Sequence, residues 1–151
     1  MPRRYRGKDI NDWFTRLGTF DTKVAELKSP RDKFSPHPQI CGRNGGHSLN
    51  LHQFARDGVV LLGHACDVCE GKFIFAPDLH GTLTKVGQFE IDALKRIDEY
   101  IASTGLSAPE EIVPRLYDGY RQEQITELDV KACGISAVIW ATGYSFDYSL
   151  A

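Results

Sequence analysis

Apolar positions along the chain fall into two rhythms. Ile10, Trp13, Phe14 and Leu17 recur at i, i+3, i+4 and i+7, the spacing of one buried helical face. Asp9 or Asn11 can cap that helix, and Gly18 suits the position past its end. The first ten residues show no strand pattern, and a shorter helix is expected from Asp21 to about Leu27. From Lys28 to Gly46 the rhythm stops. Pro30, Pro36 and Pro38 deny helix, and Gly42, Gly45 and Gly46 loosen the end of a long loop. Ser48 can cap a short helix carrying Leu51, Phe54 and Ala55, closed by Gly58. Val59 to Leu62 then reads as a buried strand, and residues 65 to 76 as a hairpin turning at Glu70-Gly71. Asp78 to Thr104 reads as a long helix with Leu94, Ile97 and Ile101 on one face, and Gly105 ends it. On its solvent side, Asp92/Arg96 and Lys95/Glu99 are spaced as i, i+4 pairs. Ser107 to Gly119, with Pro109 and Pro114, is a linker. Last, Ala137 to Ala141 is a continuous apolar run, as expected of a strand buried on both faces in a parallel sheet. It stops at Thr142-Gly143, where a glycine permits positive φ or a close backbone approach.

Helix, glycine and apolar strand form the back half of a βαβ unit, so the expected class is α/β. The expected fold is a partial Rossmann-like domain with parallel strands, a β-hairpin and a long inserted helix. The chain's 151 residues suffice for one domain with a real core. A net charge of -2 gives no reason to expect nucleic acid or an anionic membrane as partner. The basic start, Arg3, Arg4 and Arg6, is followed by no apolar segment, so it does not read as a signal peptide. Apolar runs are strand-length, too short for a membrane span. Four cysteines without a secretory signal suggest reduced thiols in the cytoplasm.

Three blocks carry a resemblance. Ile139-Trp140-Ala141-Thr142-Gly143-Tyr144 resembles the "ATG" strand that closes the NAD(P)-binding domain in the flavin-containing monooxygenase superfamily. Pro2 to Asp9, and Gly46 to Leu51 running on through Phe54 to Gly63, resemble FAD/NAD(P)-dependent flavoprotein oxidoreductases in the same order. The resemblance implies that residues 1–151 are the later part of an NAD(P)-binding domain, closed by the strand at 135–144. The family's two glycine fingerprints would lie before Met1, and the closing segment of its FAD domain after Ala151. It further implies a cytoplasmic FAD- and NAD(P)H-dependent oxidoreductase, monooxygenase-like. NADPH would pass hydride to flavin, and the reduced flavin would react with oxygen. FAD and NADPH are expected in the full-length relative and neither on this chain alone. A small-molecule substrate and a complementing flavoprotein chain are the implied partners. The alternative is a non-catalytic remnant that binds a partner chain.

By the same resemblance Arg3 and Arg4 would meet the adenosine phosphate of NADP, for which arginine's planar fork is suited. The competing reading is a solvated basic terminus. Thr142, Gly143 and Tyr144 would lie where the nucleotide domains meet, and Asp147 belongs to the same segment. The glycines at 42, 45 and 46 lack G-x-G-x-x-G spacing, and no strand precedes them. His64-Ala65-Cys66-Asp67-Val68-Cys69 offers one close cysteine pair, and Cys41, His47 or His52 could complete a zinc set. A strand spacing of three opposes that set, so no metal site is expected. The five histidines show no spacing with Ser, Cys or acids that defines a catalytic arrangement.

Overall fold

The computed structural model describes residues 1–29 and 40–141. The chain opens with a tight hairpin, β1 (Arg4–Tyr5) against β2 (Lys8–Asp9), where no strand was expected. Arg6 and Gly7 both take positive φ, the two-residue turn whose twist suits paired strands. Helix α1 (Ile10–Arg16) follows at once, with the Asp9 carboxylate accepting from the Asn11 N–H at 2.9 Å. Ile10, Trp13 and Phe14 are buried, as their spacing requires.

Residues 21–27 form only a single exposed 3-10 turn, Val24–Glu26, in place of the expected short helix. α2 (Leu51–Arg56) is capped by Asn50, which accepts from His52 and Gln53. Ser48 instead accepts the N–H of Arg3, joining this segment to the opening hairpin. β3 (Ala65–Cys69) and β4 (Lys72–Phe75) form the expected hairpin, with Glu70 and Gly71 at positive φ. The long helix α3 (Leu79–Thr104) ends at Gly105 in the left-handed region. Lys95 and Glu99 pair at 3.7 Å, whereas Asp92 takes its hydrogen bond from Gln88. After a 3-10 turn, Asp118–Arg121, β5 (Glu127–Asp129) adds to the free side of β4.

The expected Rossmann-like arrangement is therefore corrected. The described strands form two small antiparallel sheets, β1-β2 and β3-β4-β5, with no parallel pair among them. The physical reason is local. Two-residue turns at Arg6-Gly7 and Glu70-Gly71 reverse the chain immediately, whereas parallel pairing needs a long crossover. Neither expected parallel strand forms. Val59 and Val60 are exposed, at 47% and 60%. One side chain bridges the backbone on either side of Val60: Gln122 donates to the Val59 carbonyl and accepts from the Leu61 N–H, both at 2.7 Å. The amide of Gln122 thus stands in for a neighbouring strand's peptide. The apolar run before Thr142 was expected to be buried, yet Ile139 is 90% and Trp140 65% exposed, outside either sheet.

The core lies between the opening hairpin, α1 and the second half of α3, where Tyr5, Ile10, Trp13, Phe14, Ala93, Ile97 and Ile101 pack together. Trp13 donates its indole N–H to the Tyr5 carbonyl at 2.7 Å, so its one polar group is satisfied inside the core.

Candidate functional site

Of the residues singled out in the sequence, Arg3 and Arg4 lie at the opening hairpin and do not act together. Arg3 turns inward: its guanidinium pairs with Asp9 at 2.8 Å, and its stem lies where a side chain at Gly46 would be. That ion pair ties Arg3 to the hairpin. Arg4 is exposed on β1. Thr142, Gly143, Tyr144 and Asp147 lie outside the described residues.

What the structure builds around the end of the described chain is an apolar hollow of about 270 Å³ on one face of the three-stranded sheet. Phe73 and Phe75, two apart on β4, share that face and stack at 6.1 Å. Leu128 stands opposite Phe73 on β5. The segment 135–140 runs along this face, and Trp140 approaches Phe73 at 5.8 Å between ring centroids. Phe75 is buried at 9%, while Ile139 and Trp140 remain open to solvent. The site is an apolar surface carrying an exposed aliphatic and aromatic strip, without a titratable group among its lining residues.

A second, larger hollow of about 1000 Å³ lies between α2, the first half of α3 and residues 113–120. Tyr120 packs on His52 at 4.8 Å and on Tyr117 at 6.5 Å. The Gly119 N–H donates to His52 Nδ1 at 3.0 Å, which leaves the ring proton of the neutral imidazole on Nε2. Burial pushes the His52 pKa below its ordinary value, against the pull of Asp118 and Glu90. This wall is held from outside by Arg56, which grips Asp118 through two bonds at 2.9 and 3.2 Å.

The cysteine motif opens out rather than closing. Cys66 occupies an irregularity of β3 between the paired Ala65 and Asp67, so simple alternation does not govern its face. Both Cys66 and Cys69 are exposed, and the Cys66 thiol donates to the His64 carbonyl at 3.4 Å. His64 is engaged by Asp78 through both its backbone N–H and its ring, and these bonds hold the Asp78 carboxyl below the usual range. Among the described residues, no three metal-ligating side chains come together.

One contact escaped the sequence. Cys41 and His47 meet at 3.3 Å between Sγ and Nδ1, across a loop that reverses over Asn44, Gly45 and Gly46. The signal for it was present: three consecutive residues tolerant of positive φ between a thiol and an imidazole six positions apart.

Comparisons with known protein families, with curated proteins and with solved structures found no match. Among the described residues, no helix is long and apolar enough to cross a membrane.

Proposed function

We propose that this chain is a docking component of an FAD- and NAD(P)H-dependent, monooxygenase-like oxidoreductase, inactive alone and seated on a complementing flavoprotein chain. The observation that carries the reading is the exposed strip Ile139-Trp140 beside the apolar sheet face of Phe73, Phe75 and Leu128. Exposed apolar surface of this kind, grouped in one patch, marks an interaction site. Its occupant is protein rather than nucleotide, because the hollow's lining side chains offer no cation to a pyrophosphate and no donor beyond the Trp140 indole N–H. The resemblance of Ile139 to Tyr144 to the closing strand of such enzymes selects the flavoprotein as that occupant. All four cysteines are free, which supports a reducing, cytoplasmic setting. In the assembled enzyme, NADPH would reduce flavin held by the complementing chain, and the substrate would be a small molecule met there.

The test is size-exclusion chromatography of cell extract, following this chain by antibody alongside flavin absorbance and NADPH oxidation. The chain should travel with both signals in a larger assembly, and removing it by antibody should deplete the activity. Replacing Ile139 and Trp140 together by serine should release the chain from that assembly while its own fold remains. Elution of the unaltered chain at its monomer size, apart from flavin, would refute the reading.

A further inference from the structure

The loop from Cys41 to His47 has no part in the docking surface. Its geometry is set by backbone. Asn44, Gly45 and Gly46 all take positive φ, and the Gly46 N–H bonds the Arg43 carbonyl at 2.9 Å. That reversal returns the chain so that His47 Nδ1 stands 3.3 Å from the Cys41 sulfur. The His47 side of the loop is anchored on the opening hairpin. Ser48 accepts the Arg3 N–H at 3.2 Å, and the Arg3 side chain fills the space beside Gly46. Cys41 is partly buried, while Cys66, Cys69 and Cys133 are exposed. On exposure alone, Cys41 should react more slowly than the other three.

We propose that Cys41 and His47 form a thiol–imidazole pair that makes Cys41 the reactive thiol of this protein, exchanging with small disulfides of the glutathione class. In the exchange, His47 Nδ1 takes the thiol proton. The Cys41 sulfur attacks one sulfur of the disulfide, a new S–S bond forms and the old one breaks. Cys41 is oxidised, and the departing half is reduced and leaves as a thiolate. That thiolate recovers the proton from the imidazolium. The product is a mixed disulfide on Cys41.

The test exposes the folded chain to oxidised glutathione and reads occupancy at each of the four cysteines by peptide mass spectrometry over time. Cys41 should be modified about tenfold faster than the three more exposed thiols, less than the hundredfold or more a positioned base typically supplies because its partial burial slows access. His47→Ala should bring its rate down to theirs or below and leave theirs unchanged. His47→Gln, which keeps a polar side chain but cannot take the proton, should do the same. Free imidazole added to His47→Ala should restore part of the rate at Cys41 selectively. Thermal melts establish that both variants are folded. A Cys41 that reacts no faster than the exposed thiols, or that keeps its rate in both variants, would overturn the proposal.

Discussion

Tyr5 joins the two halves of the core through both of its ends. Its carbonyl takes the Trp13 indole N–H, and its hydroxyl donates to the Asp98 carboxylate at 2.9 and 3.1 Å. Burial, followed by the hydrogen bond and the charge of Asp98, pushes the phenol up to about 12. The folded state therefore holds this proton more tightly than the unfolded chain does, whose tyrosines release theirs near 10. The stabilisation is full below about pH 10 and is lost as pH rises toward about 12. Tyr5→Phe keeps the ring and removes the hydroxyl. Because Asp98 is half-exposed and can turn to water, the loss at neutral pH should be about 1 kcal/mol. Urea unfolding of both proteins across pH should show that gap closing between about pH 10 and 12. A gap that stays constant through the window would show that the phenol proton is not coupled to folding. None of this was legible in the sequence, because Tyr5 and Asp98 lie 93 positions apart and nothing local marks either as a partner.

Several elements whose cause is local are legible, though the opening hairpin and the lone 3-10 turn at Val24–Glu26 are not. The face of α1, the β3-β4 hairpin and the span of α3 follow from spacing, turn residues and a terminal glycine within a few positions of each other. Elements whose cause is distant were misread. Val59 to Leu62 has the composition of a buried strand, but burial needs a neighbour on each side, and here one glutamine supplies the pairing. The same segment ends at Gly63, whose importance comes from crowding. A Cβ there would collide with the Ala76 carbonyl oxygen and the Asp78 carboxylate. That contact is where the 59–64 segment meets the end of β4, next to the Ala76 N–H bonded to the His64 carbonyl. Gly63→Ala should cost about 1–3 kcal/mol, the range for an overpacked site. Gly71→Ala has open space but a positive φ, so its penalty comes from backbone strain alone. Chemical denaturation of the two variants separates the causes: only Gly63→Ala should also disturb the amide signals of Ala76 and His64. Unchanged signals there would place the close approach elsewhere.

At the scale of the molecule, the fold divides its apolar residues unequally. One cluster is closed around Trp13 and Ile97, both at 0% exposure, while Ile139 and Trp140 stand open beside the second sheet. The candidate site was legible as a strip of residues but not as a place. The sequence marks Ala137 to Ala141 as strand-like, and only the sheets show that no parallel partner covers it. The two tryptophans make this contrast measurable. Trp13→Ala should cost about 3–5 kcal/mol, as expected for removing a fully buried aromatic side chain. Trp140→Ala should cost less than about 1 kcal/mol in the chain alone, since most of its surface is already in water. The ends of the helices add a second expectation. A dinucleotide pyrophosphate is held at a helix amino end whose N–H groups and dipole face it. Here α1 is capped by Asp9, with Asp12 in its first turn, and α2 is capped by Asn50. At α1 the Asp9 carboxylate takes the anion position and repels a second anion, and at α2 the Asn50 amide already accepts the free N–H groups of His52 and Gln53. The purified chain should therefore show no flavin absorbance and no saturable quenching of tryptophan emission by FAD or NADPH. Added to the complementing flavoprotein, it should shift Trp140 emission to the blue, an effect absent in Trp140→Ala and retained in a Trp13→Phe variant that reports on Trp140 alone. A chain that binds FAD at near-equal molar ratio by itself would show that its nucleotide site is already complete. Docking would then have to be sought for another reason than completing that site.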